Sequence, residues 1–107
     1  MQPTLDIVAR RLAELGHPTR LGIFRLLVQA GSDGLPVGEI QQRLGIPSST
    51  LSHHLGRLVQ ADLIRQQRDK NTLFCQPCFP ALKDTLDFLL QQCCQGVEPD
   101  PIQRESD

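Results

Sequence analysis

The stretch GEIQQRLGIPSSTLSHHLGRLVQADLI, residues 38–64, sets two short amphipathic segments on either side of Gly45-Ile46-Pro47. Val37, just before it, joins Ile40 and Leu44 at spacings of three and four, which predicts a short helix. Gly45 closes that helix because glycine readily supplies the left-handed residue after a helix end. Ser48 is the expected cap of the next helix, which turns Leu51, Leu55, Leu58 and Val59 inward. Two such helices joined by a tight turn read as a helix-turn-helix. The same stretch raises a chemical expectation. A helix lying in the DNA major groove needs short hydrogen-bonding side chains on its first turns, and Ser48, Ser49, Thr50, Ser52 and His53 supply them.

Outward from this centre the periodicities continue. Upstream, Leu5, Val8, Leu12 and Leu15 predict a first helix that stops at Gly16-His17-Pro18. Thr19 is placed to cap a second helix, with Leu21, Phe24, Leu27 and Val28 on its stripe and an end near Ala30-Gly31. Downstream, LIRQQRDKNTLFCQ, residues 63–76, reads as a hairpin turning at Asp69-Lys70-Asn71. Pro77, Phe79 and Pro80 open a fifth helix whose Leu82, Leu86, Leu89, Leu90 and Cys93 share one face as far as Gly96. Residues 1–96 are therefore expected to form one domain, mainly α with a β-hairpin wing. Residues 97–107, VEPDPIQRESD, are expected to be a flexible acidic, proline-containing tail. The hairpin adds Arg65, Arg68 and Lys70 as candidate phosphate contacts, and the fourth helix adds Arg57.

With 39% hydrophobic residues among 107, the chain can bury one shallow core. No run nears the roughly 18 apolar residues of a membrane span, and the N-terminus lacks the pattern of a signal peptide, so a cytoplasmic protein without a membrane partner is expected. The net charge is only −1, but residues 1–70 carry nine Arg and Lys against six acids, whereas residues 71–107 carry two against six. That asymmetry permits a basic working face with an acidic end behind it.

ELGHPTRLGIFRLL, then GEIQQRLGIPSSTLSHHLGRLVQADLI, then RQQRDKNTLFC together resemble the ArsR family of bacterial winged-helix metalloregulatory repressors, over roughly residues 5–95. The resemblance implies a homodimer joined through the first and last helices, which blocks transcription from a palindromic double-stranded operator until an inducer loosens it. It implies no enzyme and no required cofactor. The family places its sensor sites differently on one scaffold, so the fold does not name the inducer. Where arsenic-sensing members write ELCVCDL this chain has GLPVGEI, with Pro36 and Gly38 at the two cysteine positions. Zinc-sensing members use histidines on the last helix; here that helix offers only Asp84 and Asp87. Persulfide-sensing members pair a second-helix cysteine with one on the last, and LGIFRLLVQA has none.

Four cysteines remain: Cys75, Cys78, Cys93 and Cys94. Adjacent cysteines near the end of the last helix resemble those of some arsenic-responsive members, which can add a third soon afterwards; this chain does not. Trivalent arsenic or antimony is a soft centre that prefers thiolates. Cys93 and Cys94 are thus the expected inducer ligands, with Cys75 as a candidate third sulfur and Cys78 in a secondary place. Cys93 on an apolar stripe also reads as a small buried hydrophobe. Neighbours on a helix point about 100° apart, so both thiols can meet one ion only if it sits beyond the helix surface or the last turn relaxes. Cys75-Gln76-Pro77-Cys78 spells C-x-x-C, and a four-cysteine zinc site or a disulfide-switched redox repressor stays open as an alternative.

Overall fold

In the computed structural model, residues 2–97 are described. The elements follow in the order α1 (Leu5–Leu15), α2 (Pro18–Ala30), β1 (Leu35–Pro36), α3 (Val37–Leu44), α4 (Ser48–Gln60), β2 (Ile64–Asp69), β3 (Thr72–Pro77) and α5 (Phe79–Leu90). This is a mainly helical winged helix-turn-helix. Its core joins Ile23, Phe24 and Leu27 of α2 to Ile40 of α3, to Leu51, Leu55 and Leu58 of α4, and to Leu63, Ile64 and Cys75 of the wing. Gly45 does end α3 in the left-handed region, at φ 64°.

The helix starts differ from expectation at two points. Pro18 occupies the first turn of α2, so His17 is the cap and its Nδ1 accepts from the Thr19 amide at 3.1 Å. Likewise Pro47 precedes α4 without any side-chain cap bond, and Ser48 is already helical. Proline's fixed φ sets up the helix one residue earlier than a serine cap would.

β2 and β3 pair antiparallel from Ile64 opposite Pro77 to Asp69 opposite Thr72, leaving Lys70-Asn71 as a two-residue turn with Lys70 at φ 58°. A short third strand escaped the sequence pattern. β1 pairs with β3, placing Leu35 opposite Cys75, and two residues are too few to show alternation. Gly34 makes this pairing possible: at φ +71° it lies so close to β3 that a Cβ would sit 1.9 Å from the Cys75 carbonyl oxygen. Gly34→Ala is therefore expected to lower the melting temperature by about 10 °C or more, combining about 1–2 kcal/mol of left-handed strain with displacement of β1. A melt matching that of the unmodified protein would mean that β1 yields freely.

α5 ends earlier than its leucine pattern predicts. The last helical residue is Leu90, and Gln91–Cys94 continue as turns before a bend at Gln95. Gln92 and Cys94 both sit at positive φ, 60° and 65°, which no continuing helix allows. The acidic tail expected beyond Val97 lies outside the described residues.

Candidate nucleic-acid interface and thiol site

α4 divides its residues cleanly. Leu51, His54, Leu55 and Leu58 face the domain, whereas Ser48, Ser49, Thr50, Ser52 and His53 are exposed. Because the cap residue is a proline with no side-chain acceptor, the first-turn amides of α4 end beside these hydroxyls without a side-chain partner. The wing supplies cations, but not as one cluster. Strand alternation puts Arg65 and Arg68 on opposite faces of the ribbon, with Lys70 at its tip. Arg68 borders a cavity shared with Pro36, Val37 and Gly38 at the start of α3.

Arg57 does not have the freedom the sequence suggests. Its Nε and Nη2 donate to the two oxygens of Glu14 at 2.8 and 2.7 Å, a bidentate pair that commits the guanidinium to α1 rather than to a phosphate. Arg57 thus ties α4 to α1 while its side chain stays about half-exposed. Glu14 itself is only 6% exposed. The hydrogen bond from Arg57 holds its carboxyl below the usual carboxylate range despite burial. Arg20 adds a second tie: its Nε donates to the Glu14 carbonyl at 2.8 Å, and its Nη1 lies 3.2 Å from His54 Nδ1. Facing an obligatory donor, His54 Nδ1 must accept, so the ring is neutral with its proton on Nε2. Burial, together with the nearby His17, Arg20 and His53, lowers its pKa. The His17 ring is 4.7 Å away.

The cysteines separate into two kinds. Cys75 is fully buried at the centre of β3, accepts from Gln66 Nε2 at 3.6 Å, and burial pushes its thiol up. It cannot serve as a third sulfur beside Cys93 and Cys94, because strand pairing points it into the core. Cys78 is half-buried at the start of α5, where its amide donates to the Leu63 carbonyl at 2.9 Å. Among the described residues, no three His, Cys, Asp or Glu side chains gather into a metal-binding group. Cys93 is not on the apolar stripe, since α5 has already ended. Both it and Cys94 are exposed, and their Sγ atoms are 3.0 Å apart. Leaving the helix is what brings the two thiols together. The shared hydrogen bond pushes the Cys93 thiol up.

The helix-turn-helix domain family matches residues 15–67. The HTH-type transcriptional regulator YgaV of Escherichia coli K12 is 36% identical over 69 residues, 64% of this chain and 68% of that protein. The chain belongs to the winged helix-turn-helix transcriptional regulators of the ArsR family. A solved structure of the transcriptional repressor BigR from Xylella fastidiosa is 30% identical, with a TM-score of 0.61 over 78% of this chain and 85% of that one. A homodimeric winged helix-turn-helix domain, Mb0332 of Mycobacterium bovis, shares the fold at 22% identity and a TM-score of 0.66, covering 90% of each chain.

For an ArsR-family regulator the residues that sequence reasoning missed are Glu14, His17, Arg20 and His54, the ties between α1, α2 and α4. One signal was available. His54 falls three after Leu51 and four before Leu58, on the inward stripe of α4, where a polar side chain needs a partner.

Proposed function

We propose that this regulator is a homodimeric repressor. It reads a two-fold symmetric operator through α4 and the β2–β3 ribbon, and it is released when Cys93 and Cys94 capture a trivalent arsenical. The observation that carries the DNA reading is the run of exposed Ser48, Ser49, Thr50, Ser52 and His53 on a helix whose other face packs into the core. Support for the dimer comes from the apolar residues left outward on α1 and α5: Leu5, Leu12, Leu86, Leu89 and Leu90 are all at least 40% exposed. The two helices adjoin, since Arg11 of α1 donates to the Ala81 carbonyl and the Thr85 hydroxyl of α5. A mainly apolar surface built by two adjoining helices is a natural seam for a second copy. No helix among the described residues is long and apolar enough to cross a membrane.

The inducer reading rests on the 3.0 Å separation of two exposed thiols. Two sulfurs match a trivalent arsenical that carries one methyl or phenyl group. Each thiol then displaces one hydroxyl from arsenic as water, forming two As–S bonds with no change of oxidation state. Arsenite or antimonite, which take three sulfurs, would have to leave one position to solvent. The same separation also suits oxidation of the pair by a peroxide, two thiols giving one disulfide and two waters. Operator binding titrated in parallel with arsenite, a monosubstituted trivalent arsenical, zinc and peroxide discriminates among these. The organoarsenical should release DNA at about one equivalent per protomer; release by peroxide alone would select the redox reading.

The DNA contacts have their own test. Ser49→Ala or Ser52→Ala should cost about 1–3 kcal/mol of discrimination at one base position, while Arg68→Ala or Lys70→Ala should weaken binding to all sequences and reduce the salt slope by about 1. Serine variants that fold and read the operator normally would remove α4's first turns from the interface.

A further inference from the structure

We propose that Glu14 is a positioning residue for sequence reading: from the end of α1 it fixes the angle at which α4 presents Ser49 and Ser52. The inference rests on α4 being the base-reading helix. Nothing in α1 alone accounts for a buried carboxylate at its last turn, where the helix dipole disfavours negative charge and burial disfavours any charge. Its partners account for it. Glu14 binds Arg57 through both oxygens, at 2.7 and 2.8 Å. Arg20, anchored to the Glu14 carbonyl at 2.8 Å, reaches His54 at 3.2 Å.

His54 and Arg57 are three residues apart on α4, so the helix is held at two points nearly one turn apart: Arg57 by the Glu14 carboxylate, and His54 by Arg20, which rests on the Glu14 main-chain carbonyl. One point would leave the helix free to roll; two fix both roll and tilt. Leucine contacts from Leu51, Leu55 and Leu58 are strong but non-directional, and they permit small rotations that a bidentate fork resists. At about 100° per residue, Ser49 and Ser52 lie within about 40° of the point opposite His54. A roll about the helix axis set by the Glu14 side is thus delivered directly to the base-contacting side. Glu14 is only 6% exposed and its carboxylate, like any anion, is repelled by phosphate, so it does not itself contact DNA.

A residue that only supports folding can be told from one that positions. Partial unfolding lowers the competent fraction and weakens binding to every duplex by one factor, leaving the ratio of operator to scrambled affinity unchanged. Loss of position changes that ratio. The test uses the full chain, an operator selected from a random duplex pool by the unmodified protein, and a scrambled duplex at the same salt. Glu14→Gln keeps the side-chain size and removes the charge; Arg57→Lys keeps the charge, removes the fork, and preserves a test if the first variant folds poorly. Both should lower the operator-to-scrambled ratio by about tenfold while the scrambled affinity and its salt slope stay unchanged. A ratio within about twofold of the unmodified protein, or a parallel loss on both duplexes, overturns the inference. An unmodified protein with no operator preference instead overturns the DNA reading beneath it.

Discussion

Cys93→Ser and Cys94→Ser, each made alone, are expected to bind operator DNA as the unmodified protein does and to lose release by a monosubstituted trivalent arsenical. Both thiols are exposed, outside the helix and away from the core, so serine should leave folding untouched. Once one sulfur has bonded to arsenic, the second meets it as an intramolecular partner. Removing either therefore lowers affinity by about 10²- to 10⁴-fold, beyond what any inducer concentration near the chelate's own range can restore. Release itself asks little: a 100-fold loss of operator affinity needs about 2.7 kcal/mol of coupling, and by reciprocity DNA must weaken arsenical binding by the same factor. Cys75→Ala is the control. Its thiol is buried between Leu35 and Gln66 on the neighbouring strands, so the variant should lose some stability and keep its response. Electrophoretic or anisotropy titrations of all three variants read the outcome. Single variants that still let go of DNA would place the sensor elsewhere and leave the pair as surface residues.

The fold was legible where a periodic pattern and a turn signal agreed. Val37, Ile40 and Leu44 before Gly45, and Leu51, Leu55 and Leu58 after Pro47, locate α3 and α4 because both inward stripes are predominantly apolar, with His54 the one polar residue on that of α4. The end of α5 was not legible for the same reason: Leu86, Leu89 and Leu90 extend an apolar stripe, and Cys93 continues it in spacing, yet α5 stops at Leu90. Periodicity records which residues would share a face if the helix continued, not whether it does. The polar ties were hidden differently. Glu14 and Arg57 are 43 residues apart, so their pairing exists only after α1 and α4 are packed, and Arg57 viewed alone on an outward-reading position looks like a phosphate contact. Cys75 lies two residues before Pro77, where the chain turns towards the last helix, which in sequence alone suggests a place beside that helix. Strand alternation, a local rule, faces it inward instead.

Leu86→Glu should separate the dimer and cost operator binding about 10²- to 10⁴-fold. Leu86 is 51% exposed in the protomer and stands with Leu89 and Leu90 on the outer side of α5. A glutamate there is solvated in the monomer and stabilises nothing, but at a symmetric seam it must lie near its own copy, where burial and like charge both oppose association. The protomer should keep its fold, because the core runs through Ile23, Leu27, Ile40, Leu55 and Leu63 rather than through α5's outer face. Two linked recognition helices bind a symmetric operator with the second half-site entered at high effective concentration, and that gain disappears in a monomer. With a net charge of only −1, the protein has little bulk attraction to DNA to fall back on. Sedimentation should show a monomer at micromolar concentration, and a single half-site duplex should bind the variant and the unmodified protein with similar affinity. A variant that still sediments as a dimer would move the seam away from α5.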